Sequence, residues 1–105
     1  MTIALNGTAI IAGQVVPPSE VQVLKTIFGF DRDEEKPTVT QIHQRMSESI
    51  SYAACYTCCQ RLNNRGGLVQ REDIKVSVCG TKLSRIVWSV TPLVVEFFKQ
   101  EELKQ

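Results

Sequence analysis

The chain has 105 residues, 43% of them hydrophobic and 22% charged, with a formal net charge of +1. That length admits one domain with one core, and the composition excludes disordered and collagen-like classes. No apolar run approaches the roughly 18 to 20 residues of a membrane helix, and no basic stretch precedes an apolar segment at the start, so the setting is read as cytoplasmic with no membrane partner.

The opening stretch carries Asn6-Gly7 between two β-prone runs, which predicts an N-terminal hairpin or arm over residues 1–17. Pro17-Pro18 interrupts any regular element. Ser19 followed by Gln22 three residues on reads as a capping box for a first helix, whose apolar face is Val21, Leu24, Ile27 and Phe28. Its end is expected near Gly29, because residues 31–37 form a charged run closed by Pro37, which reads as a solvated loop. Thr38 then caps a short second helix, with Gln41 again three residues on and Val39, Ile42 and Met46 as its stripe. Ser49 or Ser51 is positioned to cap a third helix running to about Asn64, with Cys55, Cys59 and Leu62 inward and Tyr52 and Cys58 at the flanks.

Gly66-Gly67 stops that helix. A β-prone segment runs to about Val78, a turn is expected at Cys79-Gly80, and residues 83–90 alternate in the manner of a second strand. Thr91-Pro92 opens a last helix reaching about Leu103, with Leu93, Val94, Val95, Phe97 and Phe98 apolar.

Charge is unevenly placed. Residues 1–50 hold four Lys/Arg against six Asp/Glu, net −2, residues 51–91 hold six against two, net +4, and residues 92–105 are net −1. The positive charge lies on the third helix and the hairpin. At about 100° per residue, the third helix turns Ala53, Thr57, Gln60 and Asn64 outward, with Tyr56 and Arg61 on the shoulders and Ser51 at its start. Gln can bond adenine bidentately, Arg suits guanine or phosphate, and a small Ala lets a helix approach closely. Lys75, Lys82 and Arg85 fall on the hairpin, where phosphate contact is the natural role.

This order predicts an α+β winged helix-turn-helix domain in which a three-helix core and β-hairpin wing span residues 19–90 and a C-terminal helix spans 91–105. Residues 51–69, Ser-Tyr-Ala-Ala-Cys-Tyr-Thr-Cys-Cys-Gln-Arg-Leu-Asn-Asn-Arg-Gly-Gly-Leu-Val, with Val87-Trp-Ser-Val-Thr-Pro, resemble the recognition helix and wing of PadR-type regulators, which share their scheme with the penicillinase-repressor and MarR groups. The resemblance places Tyr56 on that family's helix tyrosine, Arg61-Leu62 on its Arg-Leu pair, Gly66 on its helix-stop glycine and Thr91 on the threonine opening its final helix. It implies a transcriptional regulator, a repressor acting as a dimer on double-stranded DNA, with no cofactor.

The apolar load of the last helix, Leu93, Val94, Phe97 and Phe98, exceeds one core-facing stripe and suggests a dimer interface. The four cysteines read first as core packing, with a thiol sensor or metal site as alternatives; Cys79 at the turn is far along the chain from the other three. His43 has no acid or second histidine at ligand spacing, and no phosphate loop, nucleophile elbow or carboxylate pair occurs, so neither an enzyme nor a metal site is expected. A protein-binding winged-helix module, or a DNA-binding replication or partition accessory protein, are the alternative functions.

Overall fold

In a computed structural model of the chain, residues 7–46, 50–64 and 67–103 are described. Among them the chain forms four helices and two antiparallel two-stranded hairpins, an α+β arrangement: β1 (Ala9–Ile11), β2 (Gln14–Val16), α1 (Pro18–Arg32), α2 (Val39–Arg45), α3 (Tyr52–Asn64), β3 (Val69–Val78), β4 (Thr81–Val90) and α4 (Pro92–Leu103). No helix of the described residues is long and apolar enough to cross a membrane.

Both hairpins close on a two-residue turn whose second residue is glycine. Cys79 (φ 51°) and Gly80 (φ 79°) both lie in the left-handed region, the pattern whose twist matches that of the flanking strands. The N-terminal hairpin uses Ala12 (φ 51°) and Gly13 (φ 78°) in the same way, pairing Ala9 with Val16 and Ile11 with Gln14. Its turn therefore falls six residues beyond the expected Asn6-Gly7, of which Asn6 lies outside the described residues. The observed register turns Ala9, Ile11 and Val16 into the core and leaves Ile10 and Val15 exposed, so the β1–β2 hairpin is docked on the core.

Helix α1 departs from expectation at both ends. It begins at Pro18, with Pro17 as N-cap and no side-chain cap; the Ser19 hydroxyl instead accepts the Cys58 thiol at 4.0 Å. Proline at the first helical position loses no hydrogen bond there. The helix also runs through Gly29 to Arg32, because the next turn buries Phe30 and stacks the Arg45 guanidinium 3.6 Å from its ring centroid. The stop comes at Glu34, φ 58°, where Glu34 N–H donates to Asp31 and Glu35 N–H reaches back to Phe30 at 2.9 Å. This is a Schellman stop made without glycine. A left-handed non-glycine residue costs about 1–2 kcal/mol, partly offset in a glycine variant by about 0.4–1 kcal/mol of extra unfolded-state freedom. Glu34→Gly is accordingly expected to raise stability by about 0.5–1 kcal/mol, read as a higher urea midpoint at unchanged slope; a lower midpoint would refute this account of the stop.

Helix α2 carries the expected capping box: Thr38 Oγ1 accepts from Gln41 N–H at 3.3 Å and Gln41 Oε1 accepts from Thr38 N–H at 2.9 Å. Ser51 caps α3, its hydroxyl accepting from Ala54 N–H at 3.1 Å; Ser49 and Gly66 lie outside the described residues. After α3, Gly67 adopts φ 65° and Leu68 N–H donates to the Leu62 carbonyl. The core joins α1 (Val21, Leu24, Ile27), α2 (Ile42), α3 (Cys55, Cys59, Leu62), the base of the second hairpin (Val69, Trp88, Val90) and α4 (Val94, Phe97, Phe98). Phe98 stacks on Phe28 with centroids 5.2 Å apart.

That packing corrects the reading of α4 as a dimer interface. Val94, Phe97 and Phe98 are buried in the chain's own core, and of the four residues only Leu93, 61% exposed, faces out. A helix laid across α1 needs more than a narrow stripe, and the excess apolar load fills that contact.

Candidate functional site

The outer face of α3 follows from its inner one. Cys55, Cys58, Cys59 and Leu62 are buried, so Ala53, Tyr56, Thr57, Gln60, Arg61 and Asn64 are left in solvent. Two of these side chains are partly committed. Thr57 Oγ1 donates to the Ala53 carbonyl at 2.9 Å, which leaves its methyl and lone pairs outward. Gln60 Nε2 donates to the Tyr56 hydroxyl at 3.1 Å, which fixes the amide with its oxygen and second N–H still available. His43 is partly buried: Nε2 lies 2.9 Å from the Ile50 carbonyl and the ring meets Tyr52 edge-on, tying α2 to the entry of α3.

Register decides what the second hairpin presents. Arg71 pairs with Trp88, Lys75 with Ser84 and Ser77 with Lys82, so Arg71, Lys75 and Lys82 share one face, the outward continuation of the core-facing one. Ile74 pairs with Arg85, Val76 with Leu83 and Val78 with Thr81 on the opposite face, where Val78 and Leu83 are exposed. The three hairpin cations expected at phosphates are thus not one set. Lys75 and Lys82 stand together, while Arg85 joins a different surface.

That surface is a groove of about 530 Å³, lined by residues 38–41 at the start of α2, Tyr52 and Tyr56 of α3, and residues 84–86 of β4. It was not readable from the sequence. Thr38 and Gln41 looked purely structural as cap residues, and Thr40 carried no signal; only the tertiary arrangement brings them beside Arg85.

Ion pairing separates two populations of basic residues. Lys36 pairs with Glu72 at 2.7 Å, Arg32 with Glu102, and Arg45 approaches Asp33 at 4.0 Å. Arg61, Arg71, Lys75, Lys82 and Arg85 have no ion-pair partner among the described residues. Lys36 also neutralises the carboxylate of Glu72, one of the two acids on the hairpin. Lys25 on α1 and Lys99 on α4 are likewise without an ion pair, so five of the seven unpaired cations among the described residues lie on α3 and β3–β4.

Three of the four cysteines behave as core residues. Cys55, Cys58 and Cys59 are buried and Cys79 is exposed, and among the described residues no group of three or more His, Cys, Asp or Glu could hold a metal ion. Burial pushes the Cys58 thiol above its ordinary 9.0 against the opposing hydrogen bond to Ser19, and the hydrogen bond to Cys55 together with burial pushes Cys59 far up. A thiol reagent should modify Cys79 alone in the native state and the other three only on unfolding. A native Cys58 thiol that titrates above the unfolded one contributes stability present below about pH 9 and lost as pH rises beyond it, so the urea midpoint should decline on the alkaline side. Rapid labelling of all four in native buffer would contradict the packing.

No family model, no curated protein and no solved structure matches the chain. Its function has to be read from this geometry.

Proposed function

We propose that the chain is a winged helix-turn-helix protein of the PadR-like kind that binds double-stranded DNA, with α3 as the recognition helix and β3–β4 as the wing. The supporting observation is that five of the seven unpaired cations among the described residues lie on α3 and the hairpin, while Arg32, Lys36 and Arg45 are ion-paired. The order α1, α2, α3, hairpin agrees with that scheme. In this reading Tyr56, Thr57, Gln60 and Arg61 face base edges, with Ser51, Ala53 and Asn64 along the groove. Lys75, Lys82 and Arg85 meet phosphates. The role is that of a cytoplasmic transcriptional regulator, a repressor, without catalytic activity.

Such regulators act on paired half-sites as two-fold dimers. With Val94, Phe97 and Phe98 in the core, pairing of two copies would draw on residues that remain exposed, such as Leu93 and Leu103. A protein-binding module is the second reading, favoured by exposed Val78 and Leu83 on one face of the wing.

An electrophoretic shift titration on random duplex at two salt concentrations tests the DNA reading. Salt-sensitive binding is expected, and its absence at micromolar protein would leave the second reading standing. Once a preferred site is selected, Gln60→Ala should reduce discrimination by about 1–3 kcal/mol with little change on random duplex. Equal losses on both would remove Gln60 from the base contacts.

A further inference from the structure

We infer that the groove between α2, α3 and β4 takes an extended acidic peptide segment, added as a third strand along the open edge of β4. The inference does not rest on the DNA reading.

In an antiparallel ladder, alternate residues of a strand point their N–H and C=O toward the partner strand and away from it. Trp88 N–H points away from β3, since it donates to the Pro37 carbonyl at 2.9 Å. Ile86 and Ser84, two and four residues back, therefore point their N–H and C=O the same way, and among the described residues no backbone group meets them. The chain's own backbone supplies one bond at the third-strand position and no more among the described residues. Thr38, the next residue after Pro37, is the N-cap of α2, so the chain turns off into a helix just where the edge of Ile86 and Ser84 opens. The open groove lies at that position, with residues 84–86 as one wall and Tyr52 and Tyr56 among the others.

Two features choose the occupant. The edge offers donors and acceptors in alternation, and an extended peptide satisfies both, repeating every two residues at about 6.7 Å as the strand does. A phosphodiester backbone only accepts, which would leave the Ile86 and Ser84 carbonyls facing negative charge. The charge of the groove is equally one-sided: Arg85 is its single ionised lining residue, with no carboxylate among the lining residues. A second copy of β4 brings only cations to this edge, since β4 has no acid. An acidic strand from a partner protein is the complementary ligand. Because Tyr56 and Arg85 also belong to the proposed DNA face, such a segment would displace duplex where duplex binds.

The test is an amide NMR titration of the full chain with a mixture of blocked hexapeptides in which Glu alternates with Val or Thr, against the same mixture carrying Lys for Glu and against a short random duplex. The acidic mixture should shift the Ser84 and Ile86 amides and slow their exchange, with about tenfold weaker binding in Arg85→Ala. Ser84→Pro, which removes an outward N–H without touching the β3 ladder, should abolish the effect while the β3 resonances stay in place. Unmoved Ser84 and Ile86 amides at about 1 mM acidic peptide would overturn the inference, as would equal shifts from the basic mixture. Shifts produced by duplex and not by peptide would make the groove a nucleic-acid contact and also overturn it. Absence of duplex binding with the peptide response intact would defeat the DNA reading alone.

Discussion

Trp88→Ala is expected to cost about 3–5 kcal/mol, enough to bring a domain of ordinary stability near its limit. Trp88 is 1% exposed, sits at the base of the second hairpin within the main core cluster, and its backbone N–H holds the linker at Pro37. Truncation leaves a cavity in the main core cluster, which close packing of the surrounding residues lets close only in part. The informative partner is Trp88→Phe. The indole Nε1 is buried with no hydrogen-bond partner among the described residues, so phenylalanine gives up volume but no bond and removes an unsatisfied donor that costs about 1–3 kcal/mol. A net change within about 1.5 kcal/mol is expected for Trp88→Phe, against a midpoint lowered by several times as much for alanine, both from urea unfolding at constant slope. If phenylalanine proves as damaging as alanine, the indole N–H has an acceptor after all and the packing account of this residue fails.

The parts of this fold that the sequence discloses are those encoded locally. Thr38 and Gln41, three residues apart, announce a capping box that forms as read, and Gly80 marks a turn whose second position it fills at positive φ without steric cost. The inward set Cys55, Cys59 and Leu62 follows from helical spacing alone. The misreadings occur where tertiary packing outweighs a local signal. Gly29 resembles a helix stop, yet burial of Phe30 in the next turn carries α1 onward and imposes a left-handed conformation on Glu34. Asn6-Gly7 is a stronger turn dipeptide than Ala12-Gly13, but the register from the latter puts Ala9, Ile11 and Val16 in the core. The load on α4 looked like an interface because a helical wheel does not reveal how wide a surface its neighbours cover. Of the candidate site, the outward residues of α3 were legible from the same periodicity. The separation of Arg85 from Lys75 and Lys82 was not, since it depends on the pairing register, and the groove depends on three elements remote in sequence.

On the proposed DNA reading, replacing Lys75, Lys82 and Arg85 together by alanine should cause the largest loss of duplex binding, for a reason that the two-faced hairpin sharpens. All three are exposed and without ion-pair partners among the described residues, so their removal breaks no internal interaction and stability should stay within about 0.5 kcal/mol. Each cation that neutralises a phosphate contributes about 0.9 to the slope of log affinity against log salt, so the triple variant should lose roughly 2–3 of that slope if every one of them touches the duplex. Register, however, puts Lys75 and Lys82 on one face and Arg85 on the other, beside Tyr56. A duplex lying along α3 and the groove engages Arg85 first, and reaches the lysines only if the hairpin is straddled by the backbone. Anisotropy titrations of the Lys75→Ala/Lys82→Ala pair and of Arg85→Ala over a range of salt separate these placements. Straddling lowers the slope in both variants, by about twice as much in the lysine pair; one-sided docking lowers it in one variant and leaves the other at the parental value. An unchanged slope in the triple variant would detach Lys75, Lys82 and Arg85 from DNA and return them to the role of a solvated surface.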